Sequence, residues 1–258
     1  MTHAKDSIAA YRQSHDEVSR QVSGFGESEL LAQSGASAWT VAQVLSHLGS
    51  SSEIALATLR AGAANPAGNQ AIWDRWNALP PAGRAAEFLT WERRLVEALE
   101  ALSEADLGGK RLDLGFMPWP VDIATFTDMR LSEVAHHRWD IDVAFDPKAV
   151  LKSYLVPAVL ALAPMFAGFS ARPTGKTGPV VVHTSAPTRI YLLELTADGC
   201  SVSELGGPAP DGATTAHMPA EAFARLTAGR LSAEHTPSEV DVEGPVSLDD
   251  LRKLFPGF

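Results

Sequence analysis

Two stretches of different hydrophobic period make up this chain. From Ala4 to about Ser170, apolar residues recur at steps of three and four, the spacing that lines one face of an α-helix. The first such face is Ile8, Tyr11, Val18 and Val22. A second helix is predicted from Thr40, where Thr-Val-Ala-Gln matches a capping box with Gln43 reaching back to the cap, and it should end near Gly62. Asn65 to Gly68 reads Asn-Pro-Ala-Gly and is expected to be a loop. Pro80 and Pro81 open a third helix through Phe88, Leu95, Val96, Leu99 and Leu102, since proline is tolerated in a first turn. After the turn-rich LGFMPWP a fourth carries Ile123, Phe126, Met129, Val134 and Ile141, and a further helix is expected over about Ala149 to Ala167.

Beyond ARPTGKTGP the period becomes strand-like. GPVVVHT, TRIYLLEL, CSVSEL and ATTAHM are short β-rich runs separated by Gly, Pro or Asp turns. PAEAFARLTAGRL then reads as a helix with Pro219 near its start, EVDVEG as a strand, and SLDDLRKLF as a terminal helix from Ser247. This order predicts a helical domain over residues 1–172 and a smaller α+β domain over residues 178–258, with the boundary between Ser170 and Gly178 and no internal repeat.

Composition narrows the class. A hydrophobic share of 45% against 20% charged residues suits packed cores rather than disorder. Lys and Arg total 21 against 31 for Asp and Glu, a net charge of −10, which argues against nucleic acid as a partner because that needs a basic face. The start MTHAKDSIAAYRQSHDE lacks the pattern of a secretory signal, and the apolar run from Tyr154 to Phe169 is broken by Pro157 and Pro164 and short for a bilayer. A cytoplasmic protein without membrane partners is expected. Cys200 is the single cysteine, which excludes an intrachain disulfide and a cysteine-rich zinc site. It follows an Asp-Gly turn at the start of a strand, and nothing around it signals an activated thiol.

The chemistry gathers on the fourth helix. Glu133 and His137, four apart in SEVAHHRWD, share a helix face and form a pair of potential metal ligands. His136 is turned about 100° from that face. Asp140, three residues after His137, is placed either to orient its imidazole or to be an ordinary helix-end aspartate. His47, at helical spacing from Val44, Leu48 and Ser51, is a third candidate. Two imidazoles and a carboxylate leave a zinc-like ion an open position, as catalytic sites do; spacing alone does not separate this from an ordinary helix-surface pair. Trp39, Trp73, Trp76, Trp91, Trp119 and Trp139 read as packing.

WTVAQVLSHL at Trp39–Leu48 together with SEVAHHRWD at Ser132–Asp140 resembles the DinB-like four-helix proteins, and most closely the mycothiol-dependent maleylpyruvate isomerase family. The resemblance spans nearly the whole chain. It implies a DinB-like four-helix bundle followed by a sterol-carrier-like domain, with metal ligands His47, Glu133 and His137. It also implies mycothiol as the thiol cofactor, a divalent metal such as zinc, and a small electrophilic substrate. The family's important C-terminal arginine suggests Arg230 as a cofactor contact, with Arg84 as a second; a solvated surface arginine is the alternative for Arg84. The implied activity is isomerisation or S-transfer by a metal-activated thiolate. A metal-dependent hydrolase using the same ligands and a non-catalytic small-ligand binder are the other classes left open.

Overall fold

The computed structural model describes residues 3–257. Two compact units divide the chain, Met1–Asp146 and Pro147–Phe258, each with its own buried apolar core.

Four long helices dominate the first unit: α1 (His3–Val22), α3 (Val41–Ala61), α5 (Pro81–Glu100) and α7 (Ile123–Asp142). Short elements connect them: α2 (Glu27–Leu31), α4 (Pro66–Asn77), α6 (Glu104–Gly109) and an antiparallel ribbon of β1 (Arg111–Leu112) with β2 (Val121–Asp122). The expected caps are present. Thr40 and Gln43 cap each other at the start of α3, and Gly62 ends it in the left-handed region at φ 81°, a conformation that costs glycine nothing. The Asn65–Gly68 loop is not found. Pro66 instead occupies the first turn of α4, where its fixed φ favours a helix and its missing N–H is not needed.

Side-chain pairs set the helix directions. Ser7 with Asp128 and Gln21 with Asp142 make α1 and α7 parallel. His47 with Glu133 and Ser52 with Arg130 make α3 and α7 antiparallel. α4 runs back along α3, because Trp76 near its end lies on Gly49 and donates its indole N–H to Glu53 at 2.8 Å. α5 therefore sets out from beside the first half of α3.

At the centre of this unit each long helix contributes one buried polar residue. Tyr11, Ser52 and Glu92 are fully buried, and Arg130 nearly so. The Ser52 hydroxyl donates to the Glu92 carboxylate, and Arg130 Nη2 donates to Ser52 Oγ at 3.1 Å. Burial pushes the Tyr11 phenol up from its ordinary range, and the charge of Glu92 adds to this. Removing one partner of such a group strands a buried charge, which costs about 3–5 kcal/mol.

The second unit is a five-stranded mixed sheet in the order β5-β4-β3-β6-β7. Its strands are β3 (Gly178–Ser185), β4 (Arg189–Leu195), β5 (Cys200–Glu204), β6 (Thr214–Pro219) and β7 (Asp241–Glu243). Only β3 and β6 pair in parallel. Val180, Val182, Tyr191, Leu193, Val202, Ala216 and Met218 form its buried face, and Tyr191 meets Phe223 of α9 (Ala220–Thr227) with ring centroids 4.9 Å apart. α10 (Leu248–Leu254) closes the chain.

One helix was expected with the other part. α8 (Val156–Ser170) starts later than the predicted Ala149 and packs on β5 and α9, so it belongs to the second unit. Its nearly uniform apolar composition carries no information about which core it covers. No helix among the described residues is long and apolar enough to cross a membrane.

Gly49 and Gly168 offer a paired test. A Cβ at Gly49 would lie 2.2 Å and 2.5 Å from ring carbons of Trp76, so Gly49→Ala should cost about 1–3 kcal/mol by overpacking. A Cβ at helical Gly168 meets nothing within 4 Å, so Gly168→Ala should be neutral or stabilise by about 0.5–1 kcal/mol. Urea unfolding of the two variants measures both signs.

Candidate metal centre

α3 and α7 bring the three ligands implied by the resemblance together. Val44 and Leu48 are buried in the core, and this fixes the face of α3 so that His47 points across the seam toward α7. Glu133 and His137 stand one turn apart on the facing helix. His47 Nε2 lies 2.5 Å from Glu133 Oε1, and His137 Nε2 lies 3.8 Å from the same oxygen. One donor atom from each residue falls within 4.8 Å of the others. Donors on a common tetrahedral zinc ion lie about 3.4 Å apart, from bond lengths near 2.1 Å, and the two short separations bracket that figure. The donor set also fits, since two imidazoles and a carboxylate match an open catalytic site. His136 is not in the group.

Electrostatics prepare the carboxylate. Partial desolvation pushes the Glu133 carboxyl upward, but the His47 hydrogen bond and the nearby His137, His47 and Arg130 outweigh it and hold the group well below the usual carboxylate range. Glu133 is therefore ionised at neutral pH. Asp140, with a side chain fully out of solvent, sits 2.8 Å from His137 Nδ1. A carboxylate at that distance suits an Nδ1–H donor, and with Nδ1 turned to Asp140 the other ring nitrogen, Nε2, faces the cluster. The orienting role for Asp140, rather than an idle helix-end position, is the one its geometry supports.

Trp39 differs from the other tryptophans. Its ring centroid is 5.1 Å from that of His47 and 6.0 Å from that of His137. It is half-buried against both imidazoles, and reading it as general packing missed this. The signal was its position just before the Thr40 cap, which fixes where an N-terminal neighbour of the helix emerges.

The two candidate arginines are not part of this group. Arg84, in the first turn of α5, donates from Nη2 to the Asn77 carbonyl at 2.7 Å. Arg230 lies in the second unit, donating from Nη1 to the Ala228 carbonyl at 3.0 Å and from its backbone N–H to the Arg225 carbonyl at 2.7 Å. In that unit the buried Arg225 is paired with Glu221 through two hydrogen bonds of 2.7 and 2.9 Å.

Cys200 opens β5 in a half-buried position. Burial, with a contribution from the charge of Glu194, pushes its thiol up to about 11. At pH 8 only about one molecule in a thousand would then carry the thiolate, which is the reactive form.

A helical unit with an open two-histidine, one-glutamate cluster, joined to a separate α+β unit, is the class of protein these features define. The family model described as the mycothiol maleylpyruvate isomerase N-terminal domain matches residues 11–142, half of the chain, and the chain belongs to that family. Among solved structures, the crystal structure of the mycothiol-dependent maleylpyruvate isomerase is similar at a TM-score of 0.67 and 15% identity, covering 96% of this chain and 98% of that one. A histidine-to-alanine mutant of it is similar at 16% identity with the same TM-score and coverage. At these identities the likeness shows a shared fold. No curated protein matches the chain.

Alkylation of Cys200 by iodoacetamide should be slow at pH 8 relative to a free cysteine and should accelerate steadily as pH rises toward about 11. Mass spectrometry of the native protein across this range checks it.

Proposed function

We propose that this chain is a mycothiol-dependent enzyme of the maleylpyruvate isomerase type, holding one divalent ion on His47, Glu133 and His137. The observation that carries the reading is the convergence of those three side chains in a member of the family. The metal, zinc by its donor set, would make a thiolate of a bound thiol at neutral pH, and mycothiol would supply that thiolate for reversible addition to a substrate double bond. Isomerisation is favoured over S-transfer by the names of the solved relatives. On this reading the N-terminal unit is a DinB-like bundle, and the second unit, α8 included, is a sterol-carrier-like domain.

The chain's own residues have distinct tasks. Glu133 contributes a fixed negative charge to the cation, while Asp140 holds the proton on His137 Nδ1 and keeps the ring turned toward the site. Trp39 covers one side of the two imidazoles with an apolar ring. Arg230 and Arg84 are the proposed cofactor contacts, with a guanidinium suited to a thiol cofactor's carboxylate. The protein needs no nucleophile of its own, and the elevated Cys200 thiol agrees with that.

Metal analysis of purified protein should give one divalent ion per chain, and alanine at His47, Glu133 or His137 should each release it. Maleylpyruvate and related electrophiles should turn over only with an added low-molecular-weight thiol, mycothiol serving better than glutathione, and Cys200→Ser should keep most activity. Full turnover without thiol would replace this reading with a metal-dependent hydrolase. Asp140→Ala should weaken metal binding about 10–100-fold, the usual effect of losing a ligand's orienting partner.

A further inference from the structure

The segment between α2 and α3 is tied down far more firmly than a connecting loop requires. Three donors converge on the Trp39 carbonyl: the backbone N–H of Ser34 at 3.1 Å, the Ser34 hydroxyl at 2.7 Å and Gln33 Nε2 at 2.9 Å. The Trp39 N–H donates back to the Ala36 carbonyl at 2.8 Å. Gly35 then anchors this knot to α7, its N–H donating to the Asp140 carbonyl at 2.8 Å. The approach is so close that a Cβ on Gly35 would lie 2.7 Å from Val143 Cγ1, 3.0 Å from the Trp139 ring and 3.1 Å from Asp140 Cα.

Asp140 is thereby shared. Its carboxylate accepts from His137 Nδ1, and its backbone carbonyl accepts from the loop that presents Trp39. The indole closes the circuit, lying nearly parallel to the His137 ring at 29° and tilted by 38° to His47, while the two imidazoles meet edge to face with centroids 4.6 Å apart. His137 is thus held by a hydrogen bond on one side and a ring on the other. His47, which comes from a different helix, is braced by the same ring.

We infer that Trp39 is a positioning residue: its ring, held by the Gln33–Trp39 knot and the Gly35–Asp140 anchor, fixes the relative orientation of the His47 and His137 imidazoles and so sets the affinity and symmetry of the cation site. The inference rests on the metal reading given above. What the site requires at position 39 is a flat ring rather than apolar volume, because a plane can lie against two imidazoles at once and a branched aliphatic chain cannot. The anchor matters as much as the ring. Moving the loop off α7 should disturb the site without altering any residue in contact with an imidazole.

Cobalt(II) added to metal-free protein reports the coordination environment through its visible absorption, and titration gives its affinity. If wild-type protein binds no cobalt(II), the metal reading itself fails. Given binding, Trp39→Phe should keep the wild-type spectrum with an affinity within about threefold. Trp39→Leu should lower affinity about tenfold or more and shift the absorption bands, with the melting temperature showing that the protein remains folded. Gly35→Ala should also lower affinity while leaving Trp39 in place, and Trp39→Met, which keeps apolar volume without a plane, decides the matter if Trp39→Leu fails to fold. Unchanged affinity and spectrum in folded Trp39→Leu and Gly35→Ala would overturn the inference, as would a loss in Trp39→Phe equal to that in Trp39→Leu.

Discussion

Everything at the candidate centre depends on the register between α3 and α7. His47 comes from one helix and Glu133 and His137 from the other, so a displacement of α7 by one residue would move its ligands about 1.5 Å along the axis and turn them about 100° away. Packing of aliphatic side chains tolerates small slips. The Arg130–Ser52–Glu92 chain does not, because its charged ends are buried and a slip would leave them unpaired. A polar link one turn from Glu133 on α7 thus holds the seam at the setting that also aligns the ligands. Specifying one arrangement among several apolar packings is a role in which buried polar groups are well attested.

A second constraint acts across the open end of the seam. Gly35 has no side chain, and this lets the loop before α3 touch the backbone of α7. The contact delivers Trp39 to the histidines and uses the same aspartate that orients one of them. Metal-type ligands need such support, since an imidazole free to rotate about its side-chain torsions loses entropy on coordination that a braced ring has already given up.

The second unit uses comparable physics for a different end. Its buried Arg225 is matched to Glu221 four residues earlier on α9, and its Nη1 also donates to the His235 carbonyl at 2.8 Å. An ion pair and two backbone carbonyls therefore shape the turn that carries Arg230. Both candidate arginines are held in this way, Arg230 donating from Nη1 to the Ala228 carbonyl and Arg84 from Nη2 to the Asn77 carbonyl.

By itself the sequence determined the long helices, the strands and the caps of α3, because amphipathic spacing, Thr40–Gln43 and Gly62 act over a few residues. It also determined that Glu133 and His137 share a face, since helical geometry fixes that from spacing alone. Short elements such as α2, α6 and the β1–β2 ribbon were invisible, having too few residues for a period, and the α4 helix was hidden behind a turn-like Asn-Pro-Ala-Gly. The union of His47 with its partners was suggested by a family pattern, but only packing places a residue 86 positions upstream within 2.5 Å of Glu133. The assignment of α8 to the second core, the choice between two roles for Asp140 and the distinction of Trp39 from five other tryptophans were likewise decided in three dimensions. Each depends on which surfaces meet, and a one-dimensional pattern records what a side chain is without recording what it faces.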